Sequence, residues 1–265
     1  MSGARLWHDL TTTDFAAVDP ARWVAELPVA AIEQHGPHLP LVVDAAINHG
    51  ILARAMEQVP EDCPVLVLPA LPIGTSGEHA DFPGTLSLGA ETMIRLITEV
   101  CESVARAGLR KLILFNSHGG QPRILDIVAQ DLRTRRSMIV LAVNSWRLMR
   151  PDGLFPAREL REGVHAGAIE TSLMLHLRPE LVRRSAVRDF ASAARGIEDY
   201  PGLAVDGRWA FAWQAQDLHP EGAVGDASLA SADAGRVLSE QAAAGLLGLI
   251  REMSRLPLDA VRERP

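Results

Sequence analysis

Several residue types are scarce in this chain of 265 residues. It has two cysteines, Cys63 and Cys101, and one tyrosine, and aromatic residues make up 5% of the sequence. Two cysteines in core-like segments are too few for a disulfide framework, so we expect reduced, buried thiols, with a single disulfide as the alternative. Against this background Trp146, Trp209 and Trp213 stand out as candidates either for the wall of a site or for ordinary packing.

Long apolar runs and excess positive charge are also missing. No stretch reaches the ~18 apolar residues that a membrane-spanning helix needs. The start of the sequence has no signal-peptide core, so we expect a cytoplasmic protein without a membrane partner. A formal net charge of −7 at pH 7 argues against nucleic acid as a partner. The length suits one large α/β domain, which we place over residues 1–265.

Short apolar runs that suit buried strands alternate with segments of helical periodicity. The predicted strands are 29–32, 65–68, 111–115 and 138–143, and the predicted helices are 45–59, 90–106, 123–135 and 233–254. We also predict a helix near 14–27 after a polar arm, a loop or flap at 148–163, and loops with one or two short strands at 180–225. The alternation predicts a three-layer α/β/α fold with a mostly parallel central sheet.

Polar side chains follow these strands at the points where they end. Glu33 and His35 come after the first strand, Asp44 stands at the expected N-cap of the next helix, and His118 follows the third strand. Ligands in open α/β sheets bind at the carboxyl ends of strands. Together with Glu170 from a later helix, these residues form a mixed nitrogen and oxygen set that suits Zn²⁺ or Mn²⁺. Crowded carboxylates would repel one another without cations.

Each of these residues has an ordinary structural alternative. Glu33 could form a salt bridge, and His35 and His118 could be hydrogen-bonded histidines without a metal. Asp44 could be only an N-cap, and Glu170 could interact with the helix dipole or form a buried ion pair. Their joint placement at strand ends favours metal binding, with Asp44 as the best candidate to bridge two ions about 4 Å apart.

Four segments of the chain together resemble the motifs of the creatininase (creatinine amidohydrolase) family. In chain order they are Glu33 to Pro40 with Asp44, Ser76 to Leu88, Asn116 to Gly120, and His165 to Ser172. The resemblance extends from about residue 28 to Ala227, which is most of the chain. It implies a dinuclear metallohydrolase with a creatininase-like α/β/α fold, commonly assembled as a hexamer.

The resemblance also implies how the metal ligands are shared. Glu33 and His118 would hold one ion, and His35 would hold the other. Asp44 would bridge the two ions, and Glu170 would complete the second site, where it also counts as a catalytic residue.

Other positions take roles in catalysis and substrate binding from the same resemblance. His165, in a His-Ala-Gly motif, would carry a proton to the leaving nitrogen, a role that suits an imidazole near neutral pH. Its structural alternative is to orient Glu170. The residues expected to shape the substrate pocket are Ser76, Gly77, Glu78, Gly119, Gly120 and Trp146, although the loop from Ser76 to Asp81 could equally be a subunit contact.

Two departures from the family pattern bear on the substrate. In creatinine-hydrolysing members the metal-binding histidine is followed by Tyr-Glu, and here Gly119 and Gly120 follow it. Glu170 is therefore the available replacement for the missing carboxylate. A second tryptophan expected in the substrate pocket is also absent. An amide with a polar or anionic group that meets Arg158 or Arg161 is therefore an alternative to creatinine.

We therefore predict a metal-dependent amidohydrolase that hydrolyses a C–N bond of a cyclic, creatinine-like amide or a related amide. Two divalent metal ions, Zn²⁺ or Mn²⁺ with Fe²⁺ as a further option, would supply a bound hydroxide. One alternative is a creatininase-like peptidase or deformylase of a cofactor maturation pathway, which the Gly-Gly pair fits better. The other is a catalytically silent metal-binding protein. We expect a small-molecule amide as the substrate and a homo-oligomer, which by resemblance would be a hexamer.

Overall fold

A five-stranded parallel sheet forms the centre of the computed structural model, which describes residues 4–193, 200, 203–205 and 210–261. Its strands are β1 Ala4–Leu6, β2 Val24–Val29, β3 Val65–Val67, β4 Lys111–Asn116 and β5 Ile139–Asn144. They lie in the order β1-β3-β2-β4-β5, and every neighbouring pair is parallel. An all-parallel sheet must be covered on both faces.

Helices cover both faces of this sheet. The helices are α1 Val43–Met56, α2 Ala90–Arg106, α3 Pro122–Arg136, α4 Ala157–Glu162, α5 Ala168–Leu177, α6 Ala215–Leu218 and α7 Ala232–Arg255. Helices α2 and α3 pack on one face, and α1, α5 and α7 pack on the other. Alternate residues of β4 enter the two cores, with Ile113 and Phe115 on the α1 side and Leu112 and Leu114 on the α2 side. The predicted three-layer fold is confirmed.

Most predicted elements agree with the structure to within one turn of helix or one strand residue. The helix predicted at 90–106 has those bounds, and the closing helix at 233–254 is one residue longer at each end. Within 180–225, the described residues contain α6 and two short strands, β6 Asp189–Phe190 and β7 Gly225–Asp226, which pair in antiparallel fashion. The predicted flap at 148–163 contains α4.

The predictions for the first part of the chain are wrong in two places. The helix predicted at 14–27 is a short 3-10 turn, Asp14–Ala17, followed by β2. The strand predicted at 29–32 begins five residues earlier, and the polar arm contributes β1 at the sheet edge.

Pro28 explains why the sequence pattern missed β2. Proline cannot donate a hydrogen bond, so it argues against a central strand. Its nitrogen faces the β3 side of the sheet, where pairing with β3 has already ended at Val67 opposite Glu26. Beyond that point the N–H of Leu71 donates to the carbonyl oxygen of Pro28 at 2.9 Å. The missing donor therefore breaks no ladder bond.

A buried carboxyl group in the same strand has no hydrogen-bond partner among the described residues. Glu26 is 0% exposed, and neither of its oxygens is bonded. Burial raises its pKa from 4.5 to about 8. Because the folded state keeps this proton while the unfolded state releases it, Glu26 lowers the stability as pH rises from about 4.5 towards 8.

We expect the variant Glu26→Met to be more stable than the wild type at pH 8 and close to it at pH 5. The free energy of unfolding of the wild type falls by up to about 1.4 kcal/mol per pH unit across that window because of this carboxyl group. Methionine does not titrate, so it removes this loss of stability while filling a similar volume. Thermal unfolding of both proteins at pH 5, 6, 7 and 8 measures the difference. A difference in unfolding temperature between the two proteins that stays constant with pH would contradict the raised pKa of Glu26.

The remaining predictions concern the cysteines, a membrane span, Trp209, the domain count, the assembly and the location. Cys63 and Cys101 are free, buried thiols, as predicted. None of the described helices combines the length and hydrophobicity needed to cross a membrane. Trp209 lies outside the described residues. The single domain, the homo-oligomer and the cytoplasmic location stay predictions.

Candidate metal centre and active site

The five predicted metal ligands lie together at the carboxyl edge of the sheet. Glu33 and His35 follow β2, His118 follows β4, and Asp44 and Glu170 lie in the first turns of α1 and α5. The first four are at most 2% exposed, and the Glu170 side chain is 26% exposed. So many ionisable groups in a buried space are costly unless they are paired or bind cations.

Asp44 is not the N-cap that the sequence predicted. Helix α1 begins at Val43 with Val42 as its N-cap, and no side chain caps it. The Asp44 carboxylate is therefore free to face the cluster. Its Oδ1 lies 3.5 Å from His35 Nε2, and its Oδ2 lies 3.3 Å from His118 Nδ1. The two oxygens thus face two different histidines.

Side-chain hydrogen bonds hold α1 against the ends of the strands. Asn48 donates to the carbonyl oxygens of Val29 and Phe115 at 3.2 and 3.0 Å. Ser117 Oγ donates to the carbonyl oxygen of Asp44 at 2.8 Å. These bonds fix the start of α1 relative to β2 and β4, and they bring Asp44 next to the residues that follow both strands.

Backbone carbonyl groups determine which nitrogen of each histidine faces the cluster. His118 Nε2 lies 2.7 Å from the Thr75 oxygen, and His35 Nδ1 lies 3.1 Å from the Glu33 oxygen. Because a carbonyl group only accepts, each of these nitrogens carries a hydrogen. His118 Nδ1 and His35 Nε2 are left to face the carboxylates. Metal-binding histidines are commonly oriented in this way.

The donor atoms fit divalent cations better than they fit one another. Glu33 Oε2, His35 Nε2 and Asp44 Oδ2 are buried and form no hydrogen bond within the described part of the chain. The nitrogen–oxygen distances are 3.3 Å from His118 to Glu33 and 3.9 Å from His35 to Glu170. Two ligands bound tetrahedrally at about 2.1 Å from one zinc ion lie about 3.4 Å apart. The spacing therefore suits ligands of a shared cation.

The charges of the cluster increase its affinity for positive charge. Burial disfavours the cationic form of His35, but Asp44 and Glu170 outweigh burial and raise its pKa to about 9. The pKa of His118 is likewise raised, because Glu33 and Asp44 outweigh burial. Burial favours protonated Asp44, yet the two histidines hold its pKa well below the usual range. Divalent ions would take the place of the histidine protons.

His165 differs from these two histidines in its charge. Its backbone pairs with Val224, and its Nε2 donates to the Gln34 carbonyl oxygen at 2.7 Å. Its Nδ1 therefore has a free lone pair, which lies 3.9 Å from Glu33 Oε1. Burial and the neighbouring His35 lower the pKa of His165 well below its usual value. A neutral imidazole that directs a lone pair into the cluster can accept a proton.

The turn that follows His165 holds an unusual backbone conformation. Ala166 has a φ of 54°, in the left-handed region that residues other than glycine rarely adopt. Its N–H donates to Glu170 Oε2 at 2.5 Å, and its carbonyl oxygen accepts from His38 Nε2 at 3.0 Å. Such strain persists where the surroundings fix it, often at active sites. The turn couples the orientation of Glu170 to that of His165.

The sequence assigned no specific role to three buried residues around the cluster. Gln34 donates to His79 Nδ1 at 2.7 Å, so His79 Nε2 carries a hydrogen, which faces Glu33 Oε1 at 3.4 Å. Burial lowers the pKa of His79 to about 4. His38 supports Ala166 as described. Each lies inside a segment already considered functional, which was the available signal.

The predicted pocket residues differ in their exposure. Ser76 is 0% exposed, and its Oγ lies 3.5 Å from His118 Nε2. Gly77 begins the 3-10 turn Gly77–His79, and Gly119 and Gly120 are exposed. Trp146, 39% exposed, follows β5 in a 3-10 turn. Trp213 packs edge-on against His79 with 6.4 Å between the ring centroids.

The structure gives no support to an anionic group bound by the two arginines that the sequence suggested. Arg158 forms ion pairs with Glu162 at 3.0 Å and with Asp189 at 3.7 Å. Arg161 is 68% exposed and also pairs with Glu162. Both guanidinium groups are thus engaged on the surface of α4.

Carboxylates and imidazoles that could hold metal ions, next to a neutral imidazole, are typical of a metal-dependent hydrolase. Comparison with known proteins gives the family, because the family model described as "Creatininase: Creatinine amidohydrolase" matches residues 8–250. The chain belongs to the creatininase family, and it is a hydrolase that acts on carbon–nitrogen bonds.

Named relatives include peptidases as well as a creatinine amidohydrolase. A mycofactocin precursor peptide peptidase of Mycolicibacterium smegmatis is 34% identical over 156 residues, and the match spans only 58% of each protein. Its counterpart in Mycobacterium ulcerans is 32% identical over 82% of this chain and 80% of that protein. The creatinine amidohydrolase of Pseudomonas putida is 30% identical over 95% of this chain and 98% of that protein.

Solved creatininase structures share the fold. A mutant creatininase of the Zn–Zn type superposes with a TM-score of 0.73 at 28% identity, covering 93% of this chain and 97% of that one. A creatininase structure with Mn superposes with a TM-score of 0.71 at 26% identity over the same shares.

Proposed function

We propose that this enzyme hydrolyses an amide C–N bond at a centre of two divalent ions, Zn²⁺ or Mn²⁺, that share Asp44. The observation that carries the proposal is the placement of the two Asp44 oxygens, each of which faces a different histidine at 3.3–3.5 Å. Glu33 and His118 would complete one site, and His35 and Glu170 the other. The ions would polarise the scissile carbonyl group and lower the pKa of a water molecule.

The proton transfers are assigned to His165. Its Nδ1 is the free acceptor in the cluster, and its Nε2 is held by the Gln34 carbonyl oxygen at 2.7 Å. His165 would take a proton from the attacking water and return it to the leaving nitrogen. The strained Ala166 turn keeps the ring in place beside Glu170.

The substrate we propose is a small cyclic amide such as creatinine or a related amide. A second candidate, cleavage of a peptide or a formyl group, is favoured by the rim next to His118. Gly119 and Gly120 are exposed there, and a side chain on Gly119 would meet nothing within 4 Å. An open rim of backbone suits an extended chain better than it suits a covered ring. The peptidases among the relatives support the same candidate.

A turnover screen tests both candidates. Purified protein, loaded separately with Zn²⁺, Mn²⁺ or Fe²⁺, is incubated with creatinine, simple lactams, dipeptides and formylated peptides. Turnover of a cyclic amide supports the first candidate, and turnover restricted to peptides or formyl groups supports the second. Equal, negligible turnover by the metal-free and metal-loaded protein on every compound would contradict hydrolysis and favour a silent metal-binding protein.

We expect the variant Glu170→Gln to weaken one metal site and leave the other intact. Glu170 approaches His35 but not His118, so its loss affects only the second set. The affinity of the weaker ion is expected to fall on the order of 10–100-fold, as for changes close to a metal. Competition with a chelator during metal titration measures it, and the exposed Glu99→Gln serves as the control. Unchanged binding of both ions would point to a different ligand.

A further inference from the structure

The carboxylate of Glu78 occupies space that a side chain at position 120 would need. A Cβ atom added to Gly120 would lie 2.1 Å from Glu78 Oε1 and 2.6 Å from His118 Nε2. Glu78 Oε1 itself lies 3.7 Å from His118 Nε2. The atoms of Glu78, Glu33 and His118 that could bind a metal ion lie within 4.8 Å of one another. The glycine thus allows a fourth carboxylate to stand at the rim of the metal centre.

Apart from its own backbone N–H, Glu78 has no hydrogen-bond donor at this rim within the described part of the chain. The hydrogen on His118 Nε2 is directed to the Thr75 carbonyl oxygen at 2.7 Å, so it is not available to Glu78 at 3.7 Å. No lysine or arginine among the described residues forms an ion pair with Glu78. Its side chain is 20% exposed, which leaves the carboxylate accessible from the rim.

The charge of the complete site indicates what this carboxylate would bind. With both ions bound, the ionised carboxylates of Glu33, Asp44, Glu170 and Glu78 would carry four negative charges, which two divalent ions would balance. Adding an anionic group of the substrate beside Glu78 would be repulsive, and a cationic group would be attracted. Arg158 and Arg161, the arginines that could have held an anion, are paired with acids on α4.

We propose that the substrate carries a protonated amine close to the scissile amide and that Glu78 binds this amine. The inference rests on the proposed hydrolysis at the two-ion centre. The ligand atoms of Glu78, Glu33 and His118 lie within 4.8 Å of one another, which is little more than the length of one extended residue, about 3.5 Å. The amine therefore belongs to the same residue as the scissile carbonyl group or to its neighbour. An α-amino amide has this chemistry.

The test compares leucinamide with N-acetylleucinamide, two probes that differ in the positive charge next to the amide. Calorimetric titration of the Mn²⁺-loaded protein measures their dissociation constants for the wild type, Glu78→Gln and the exposed control Glu99→Gln. A charge-assisted hydrogen bond predicts that the wild type and the control bind leucinamide at least about tenfold more tightly. In Glu78→Gln the ratio is expected to fall to about one.

Several results would overturn the proposal. A ratio near one in the wild type would show that no amine is recognised. A preference that persists in Glu78→Gln would show that another group, such as an ion, binds the amine. Loss of an ion from Glu78→Gln, measured on the same samples, would make Glu78 a metal ligand instead. A failure of the proposed hydrolysis is seen separately, as absence of turnover in the substrate screen.

Discussion

The variant Asp44→Ala is expected to contain almost no bound metal and to lose activity by about 10³-fold or more. Asp44 reaches both histidines of the centre, with its two oxygens at 3.5 Å from His35 and 3.3 Å from His118. Removing it leaves each site with two protein ligands and no shared group. Elemental analysis after gel filtration gives the ions per chain, and turnover of the best screened amide gives the activity.

The matched control for this experiment is Asp126→Ala. Asp126 is an exposed aspartate on α3, away from the cluster, and its variant should keep the wild-type metal content and turnover. Retention of two ions per chain by Asp44→Ala would refute the shared ligand. Loss of only one ion would mean that Asp44 belongs to a single site.

The second large effect is expected for His165→Ala, which should keep both ions and lose turnover by about 10²–10⁴-fold. His165 is assigned to neither ligand set, although its Nδ1 lies 3.9 Å from Glu33 Oε1. Its bare Nδ1 is instead the acceptor available for a proton from water, with the opposite nitrogen bonded to Gln34. Single-turnover kinetics on the metal-loaded variant, with metal content measured in parallel, separates the loss of chemistry from the loss of ions.

A histidine at the exposed end of α5 provides the control for this variant. His176→Ala changes a residue of the same type on the helix that carries Glu170, and its turnover should match the wild type. If His165→Ala turns over substrate within about threefold of the wild type, another group moves the proton. If it loses an ion, His165 is a ligand rather than a proton carrier.

The sequence predicted the sheet, the main helices and the meeting of the five ligand candidates for a physical reason. Buried parallel strands are short apolar runs. The strand Lys111–Asn116 is such a run, although it begins with a lysine. Since parallel strands end at one edge, residues that follow them, such as Glu33 and His118, must come close together. The prediction of which ligands each ion would have came from the resemblance to the family motifs. The pattern of apolar residues alone does not contain this information.

The errors arose where tertiary context overrides local preference. Glu26 and Pro28 made β2 resemble a polar helix followed by a break, because neither residue suits an ordinary central strand. Asp44 was assigned as an N-cap from its position alone, although the turn before α1 places the carboxylate towards the cluster. His79 was overlooked as a neighbour of Glu33 because nothing in a loop sequence determines which side chain folds inward.

Anomalous diffraction from crystals of the Mn²⁺-loaded protein is the most direct measurement of the two-ion centre. Two peaks about 3.5–4 Å apart are predicted, one on each side of the Asp44 carboxylate. One peak should lie against Glu33 and His118, and the other against His35 and Glu170. A single peak, or peaks away from Asp44, would contradict the account.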